Sequence, residues 1–211
     1  MRKVTVRDVA EMKSRGEKIS MITAYDYTTA KVVDQAGIPL LLVGDSLGMV
    51  VLGYESTISV TMEDMLHHVK AVTRGAKNSM VIADLPFMSY NLDSAQALAN
   101  AGRLMQEGGA SSVKLEGGER MAGTTRRIVE CGIPVMGHIG LTPQAVNGLG
   151  GYRVQGRGRE EAQQLVKDAL ALEQAGIVIP GQSNDIGNSS IDPTAGNEYD
   201  CRGLLCCQIN S

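Results

Sequence analysis

Short apolar runs alternate with longer amphipathic segments along the chain as far as Gly176. The runs are rich in Val, Ile and Leu without strict alternation, a pattern typical of parallel strands that are buried on both faces. They are SMITA at 20–24, LLLVG at 40–44, MVIAD at 80–84, SVKLE at 112–116 and PVMGHIG at 134–140. The pattern therefore predicts five parallel strands.

The segments between these runs carry helical periodicity and the signals of helix ends. We predict helices within residues 27–37, 61–76, 93–109, 119–132 and 159–176. Thr61 is the expected N-cap of the second helix, with Asp64 at its third position, and the third helix begins at Asp93 or Ser94. Each helix stops at a glycine that suits the left-handed position after a helix, namely Gly37, Gly75, Gly108, Gly132 and Gly176.

Strands and helices that alternate in this way predict an α/β fold with a parallel sheet and right-handed crossovers. A doubly wound sheet and a (β/α)₈ barrel both satisfy the pattern. No G-x-G-x-x-G follows the first run, which disfavours a dinucleotide-binding Rossmann fold.

Charged residues stand where three of the predicted strands end. Asp45 follows the second strand, Asp84 closes the third, and Lys114 and Glu116 lie two apart on the fourth, so that they share a face. Ligands of parallel α/β folds bind at the carboxyl ends of the strands. Oxygen ligands without His or Cys favour Mg²⁺, and a nearby lysine would pair with a substrate carboxylate. The alternatives are a turn residue at Asp45, a strand-end cap at Asp84 and an internal Lys114–Glu116 ion pair on an edge strand.

Other polar segments indicate a site less strongly. His67 and His68 lie in a helical pattern, where we expect them to be solvated. His138 follows the fifth strand and either lines a pocket or serves the structure. The glycine-rich segment 148–159 lacks the G-K-[ST] ending of a P-loop, and we interpret it as a mobile active-site loop.

Composition narrows the class of protein. The formal net charge is −3 with 43% hydrophobic and 20% charged residues, which indicates a globular protein without nucleic acid or an anionic membrane as partner. No window approaches a membrane span, and the first residues lack the apolar core of a secretory signal. The cysteines form no C-x-x-C pair, so we expect a reduced, cytoplasmic protein.

Four stretches together resemble the ketopantoate hydroxymethyltransferase family. They are ITAYDYTTAKVVDQAGIPLLLVGDSLGMVVLGYESTISVTMEDMLHHVKAVTRGA, VIADLPFMSY, SVKLEGG and IPVMGHIGLTPQ, and the resemblance runs from about residue 3 to Gly176. It implies a (β/α)₈ TIM barrel of the phosphoenolpyruvate/pyruvate-like superfamily that assembles as a decamer. It also implies Mg²⁺ and transfer of a hydroxymethyl group from 5,10-methylenetetrahydrofolate to 3-methyl-2-oxobutanoate, which gives ketopantoate in the first step of pantothenate synthesis.

The resemblance also implies roles for particular residues. Asp45, Asp84 and Glu116 would form the metal site. Asp45, Ser46, Asp84 and Lys114 would contact the keto acid. The family's general base is a glutamate, but this chain has none at the corresponding place near Ser183, so the catalytic base is unassigned.

The pattern divides the chain into barrel units one to five at 1–176 and a divergent, irregular tail at 177–211. Because a full barrel needs roughly 200 to 250 residues, we expect a barrel that is incomplete at its C-terminus. Two other functions stay open beside the transferase: an inactive truncated copy, and a related Mg²⁺-dependent oxo-acid lyase.

Overall fold

The computed structural model describes residues 2–151, 155–156, 158–177 and 179–181. Within these residues, six parallel strands form one sheet in the order β1-β2-β3-β4-β5-β6. They are β1 Met21–Thr23, β2 Leu40–Val43, β3 Met80–Asp84, β4 Ser112–Glu116, β5 Val135–His138 and β6 Ile179–Gly181. All five predicted strands are therefore confirmed: β3 and β4 coincide with their apolar runs, and β1, β2 and β5 are slightly shorter than theirs.

Helices separate consecutive strands. They are α1 Val6–Ser14, α2 Tyr27–Gln35, α3 Leu47–Val50, α4 Met62–Gly75, α5 Ser94–Gln106, α6 Ala122–Glu130, α7 Val146–Leu149 and α8 Arg159–Gln174, with short 3₁₀ turns at Thr57–Ser59, Glu119–Met121 and Pro143–Ala145. The five predicted helices correspond to α2, α4, α5, α6 and α8. Within the described residues, no helix is both long and apolar enough to cross a membrane.

The strand order decides between the two architectures that the pattern left open. In a doubly wound sheet the strand order reverses at a switch point. The strands of this sheet instead follow one another in chain order. Sequential parallel strands with intervening helices are the arrangement of the (β/α)₈ barrel, which confirms the fold expected from the resemblance.

β6 begins beyond Gly176, where the sequence predicts an irregular tail. Its residues pair in parallel with β5, Met136 opposite Ile179 and His138 opposite Gly181. The first residues of the predicted tail therefore continue the sheet, and residues 182–211 lie outside the described part of the chain.

Two apolar cores lie within the described part of the chain. The larger lies between the sheet and the helices and contains Val81, Val113 and Leu115. The smaller lies on the opposite face and contains Val9, Met21, Leu40, Leu42, Met80, Ile82 and Met136. Because side chains two apart on a strand share a face, Asp84 continues the row of Met80 and Ile82. The charged residues therefore stand at the carboxyl-end rim of the inner face.

The helix α1 is not among the helices that the sequence pattern predicts. Thr5 and Asp8 form a complete capping box at its start, and Val9 is buried in the inner core. The helix therefore packs against the inner core through Val9.

The helix-end predictions are partly confirmed. Thr61 and Asp64 form a full capping box, and Asp93 is the N-cap of α5. Gly37, Gly132 and Gly176 have positive φ as expected, but Gly75 and Gly108 do not. Both are needed for close packing instead: a Cβ would lie 2.6 Å from the Tyr27 carbonyl oxygen at Gly75, and 2.4 Å from the Leu104 carbonyl oxygen at Gly108.

Candidate active site

The turn after β2 brings Asp45 against the end of β3. The backbone N–H of Asp45 donates to Oδ2 of Asp84 at 3.2 Å, and Asp45 is 4% exposed. Gly44 permits this approach, because a Cβ there would lie 2.9 Å from the Ser46 hydroxyl oxygen and 3.5 Å from Oδ2 of Asp84. Ser46 in turn hydrogen-bonds the Tyr25 hydroxyl at 2.8 Å. Asp45 is thus a buried carboxylate at a shared site, and a turn role alone does not describe it.

Lys114 lies beside Asp84 on the neighbouring strand. The Lys114 ammonium is 2.6 Å from Oδ1 of Asp84, and both side chains are almost fully buried. The alternative of a Lys114–Glu116 pair on an edge strand does not fit, since β4 lies between β3 and β5 and the lysine's ion pair is with Asp84. Lys114 and Asp84 therefore form a buried ion pair across the strand ends.

Glu116 lies at the end of β4 on the same face as Lys114. Its Oε1 is 3.2 Å from Nδ1 of His138, the last residue of β5. Its Oε2 accepts the backbone N–H of Gln144 at 3.0 Å. The open question about His138 is answered in part: it lies against the carboxylate cluster at the strand ends.

The electrostatics of this cluster favour an added positive charge. Burial and the neighbouring Asp84 raise the pKa of Asp45 to about 7, although Lys114 opposes the shift. Burial also raises the pKa of Asp84 against the effect of Lys114. For Lys114, burial acts to lower the pKa, but the three carboxylates outweigh it and the pKa is raised. Three carboxylates against one ammonium leave two negative charges uncompensated when all are ionised, so a divalent cation would balance the cluster.

The carboxylate oxygens of the cluster are donor atoms of the kind that Mg²⁺ prefers. Within the part of the chain that the structure describes, no group of three or more His, Cys, Asp and Glu side chains is arranged to hold a metal ion. Mg²⁺ in proteins is commonly held by one or two carboxylates together with water and substrate oxygens, so the buried Asp45 and Asp84 fit such a site. The metal set of Asp45, Asp84 and Glu116 stays a prediction.

Sequence reasoning missed two residues at the centre of this site, Tyr90 and Gln144. The Gln144 amide nitrogen donates to Oδ2 of Asp45 at 2.7 Å and to the Leu85 carbonyl oxygen at 2.9 Å. The Tyr90 hydroxyl donates to the Gln144 amide oxygen at 2.6 Å and accepts the Glu116 N–H at 3.2 Å. Both residues lie within the stretches that carry the family resemblance, but a lone Tyr or Gln in a loop has no chemical signal in its spacing.

A cleft of about 690 Å³ opens beside the cluster. Its walls come from the loops after β3, β4 and β5 and from α8, and include Phe87, Tyr90, Glu116, Arg120, Gln144 and Gln164. Clefts of this size accommodate a small organic molecule. Glu116 and Gln144 therefore connect the buried cluster with an open space.

The weaker candidates have mixed outcomes. His67 is exposed as expected, but the expectation for His68 was wrong, because it is half-buried and its Nδ1 lies 2.7 Å from the Tyr25 carbonyl oxygen. The segment 148–159 contains residues 152–154 and 157, which lie outside the described residues, so its interpretation as an active-site loop stays a prediction.

The sequential parallel strands and the helices between them define a class of fold, the parallel β/α barrel of the TIM type. The structure resembles that of phosphonopyruvate hydrolase in complex with oxalate and Mg²⁺, with a TM-score of 0.65 and 14% identity over 85% of this chain and 63% of that chain. It also resembles 2,3-dimethylmalate lyase, with a TM-score of 0.62 and 16% identity over 87% and 64%. At these identities the likeness establishes the fold.

Sequence comparison identifies the family within this class. The model of ketopantoate hydroxymethyltransferase matches residues 3–179. Proteins named 3-methyl-2-oxobutanoate hydroxymethyltransferase are 64% identical over 174 residues in Dehalococcoides mccartyi and 62% identical over 176 residues in Carboxydothermus hydrogenoformans. The matches cover 82% and 83% of this chain but 62% and 64% of those relatives. The chain belongs to the ketopantoate hydroxymethyltransferase family, an enzyme family of transferases, and spans less than two thirds of the length of these relatives.

Proposed function

We propose that this chain forms the part of a cytoplasmic hydroxymethyltransferase that binds the keto acid. The reaction adds a hydroxymethyl group from 5,10-methylenetetrahydrofolate to 3-methyl-2-oxobutanoate, giving ketopantoate for pantothenate synthesis. The observation that carries the proposal is the buried cluster of Asp45, Asp84, Glu116 and Lys114 at the strand ends. The high identity to relatives named for this reaction supports it.

In the proposed reaction, the carboxylates of the cluster bind the metal ion, and Lys114 binds the substrate. Asp45 and Asp84, with Glu116, would hold Mg²⁺, which supplies Lewis-acid polarisation of the substrate carbonyl when it is bound. The Lys114 ammonium would pair with the carboxylate of the keto acid. Ser46, held by the Tyr25 hydroxyl at 2.8 Å, would donate a hydrogen bond to the same group. The cleft beside Glu116 offers room for the folate co-substrate, and assembly into a homo-oligomer remains a prediction from the family.

Proton removal from C3 of the keto acid is the step that tests these residue roles. We expect the chain to catalyse exchange of the C3 proton of 3-methyl-2-oxobutanoate for deuterium. The exchange rate, measured by NMR, should be higher with Mg²⁺ than with a chelator. The rate should be below that of the relatives named for this reaction, because the chain has no glutamate near Ser183 and loss of a general base costs about 10²- to 10⁴-fold. Asp45→Asn should abolish the exchange. The control Asp26→Asn should retain it, because Asp26 is an exposed N-cap of α2 and Asn caps equally well.

Detection of products by NMR, with and without the folate co-substrate, separates the two enzymatic alternatives. An oxo-acid lyase would cleave its substrate without folate, whereas the transferase forms ketopantoate only when methylenetetrahydrofolate is added. Exchange no faster than in the protein-free solution would favour the inactive copy and contradict the catalytic part of the proposal.

A further inference from the structure

Gln144 lies at the meeting point of three strand ends. It follows β5 in the 3₁₀ turn Pro143–Ala145 and is 5% exposed. Its side chain contacts Asp45 in the turn after β2 and Leu85, the residue after β3, while its backbone N–H donates to Glu116, the last residue of β4. One residue therefore touches two of the three carboxylates of the cluster.

The partners of Gln144 permit only one orientation of its amide. The Leu85 carbonyl oxygen can only accept, and Oδ2 of Asp45 accepts, so both require the NH₂ group. The Tyr90 hydroxyl donates to the amide oxygen at 2.6 Å, and its own oxygen is held by the Glu116 N–H at 3.2 Å. Every hydrogen-bonding group of the amide thus has a matched partner, as is required of a buried polar side chain.

We propose that Gln144 is a positioning residue for the keto-acid site. Its NH₂ group fixes one oxygen of Asp45 and its backbone N–H fixes one oxygen of Glu116, so the rotation of both carboxylates is set from the segment after β5. Tyr90 locks Gln144 in the orientation that does this. The inference rests on the proposed function, which gives the two carboxylates their role. Residues that orient ligand carboxylates commonly change affinity by about 10- to 100-fold when they are replaced.

A purely structural role would show itself differently. If Gln144 only fills space, Gln144→Met, which keeps the size of the side chain and removes its polar groups, should leave ligand affinity unchanged whatever it does to stability. If Gln144 positions the carboxylates, the same variant should weaken binding of 3-methyl-2-oxobutanoate at saturating Mg²⁺ by about tenfold or more. Calorimetric titration of the full chain measures this, with circular dichroism to show that the variant is folded.

Two further variants sharpen the measurement. Tyr90→Phe removes only the hydroxyl that locks the amide, so it should weaken binding in the same direction but less than Gln144→Met. Gln106→Met is the matched control, because Gln106 is an exposed glutamine at the end of α5, and its binding should equal that of the wild type.

The hydrogen bond from Gln144 to Asp45 can also be tested without any ligand, by exchanging which of the two residues is the donor. Gln144→Glu places two carboxylates in contact and should lower the melting temperature. Adding Asp45→Asn restores a donor to the contact, so the double variant should be more stable than the sum of the two single changes predicts. Additive effects would overturn the contact, and wild-type-like binding by a folded Gln144→Met would overturn the positioning role. A wild-type chain that binds no keto acid with Mg²⁺ would instead overturn the proposed function itself, and the positioning role with it.

Discussion

At the scale of single residues, buried Asp34 has a structural role that contrasts with the cluster. It accepts hydrogen bonds from the backbone N–H groups of Asn78 and Ser79 and from both of their side chains, at 2.7 to 2.9 Å. Burial alone would raise its pKa, but these bonds outweigh burial and lower it to about 2. The carboxylate thus ties α2 to the start of β3.

This pKa shift predicts how stability depends on pH. A lowered pKa contributes stability that is fully present above the unfolded value of 3.8 and is lost as the pH falls through about 2. Asp34→Asn should therefore lower the free energy of unfolding by about 2 kcal/mol at pH 7, and the difference from wild type should shrink at pH 2.5. Urea unfolding at both pH values measures it.

The control for this variant is Asp93→Asn, which changes an N-cap that Asn fills as well as Asp. Its stability should stay within about 0.5 kcal/mol of wild type at pH 7. A difference for Asp34→Asn that is equally large at pH 2.5 and pH 7 would show that shape, and not the charge of Asp34, matters.

Also at the residue scale, the charged members of the site could be predicted but their neutral partners could not. Asp45, Asp84 and the pair Lys114 and Glu116 are visible because ionisable residues at the ends of apolar runs are unexpected unless they serve a site. Gln144 reaches Asp45 across 99 positions of sequence, through a loop whose path no local pattern encodes.

At the scale of elements, α8 packs closely against the turn after β4 at Asp168. Oδ1 of Asp168 accepts the backbone N–H of Glu119 at 2.9 Å, and a Cβ at Gly118 would lie 2.0 Å from Cγ of Asp168. Gly118 therefore sets the distance between α8 and the loop that borders the cleft.

Gly118→Ala should separate these two elements. We expect it to lower the free energy of unfolding by about 1 to 3 kcal/mol, the usual cost of inserting an atom into a packed contact. The matched control is Gly123→Ala within α6, where nothing lies within 4 Å of the new Cβ. Because Ala is a better helix former than Gly, the control should raise stability by about 0.5 to 1 kcal/mol. Equal effects of the two changes would contradict the contact.

The same elements show why helix ends are harder to predict than helices. Gly37 and Gly75 both end helical patterns, but only Gly37 has a positive φ. Gly75 is a glycine because α4 packs onto the backbone of α2, where the Tyr27 carbonyl oxygen would lie only 2.6 Å from a Cβ. Sequence alone cannot separate a need for backbone freedom from a need for space.

At the scale of the whole molecule, the alternation of strands and helices predicts a parallel sheet covered by helices. The order of the strands within the sheet is known only from the structure. Local patterns are identical in a barrel and in a doubly wound sheet, since both consist of β-α units. The sequential pairing of β1 through β6 brings the ends of β2, β3 and β4 side by side. That adjacency converts separate polar residues along the chain into one cluster.

The central claim is that this cluster takes a divalent cation and a keto acid together. Calorimetric titration of the chain with 3-methyl-2-oxobutanoate, in Mg²⁺ and in a chelator, tests it most directly. 3-Methylbutanoate, which has the carboxylate but lacks the keto oxygen needed to chelate a metal, is the matched ligand. We expect the keto acid to bind only in the presence of Mg²⁺ and 3-methylbutanoate not to bind in either solution. Binding of the keto acid that is equally tight in the chelator, or equal binding of both ligands, would contradict the account.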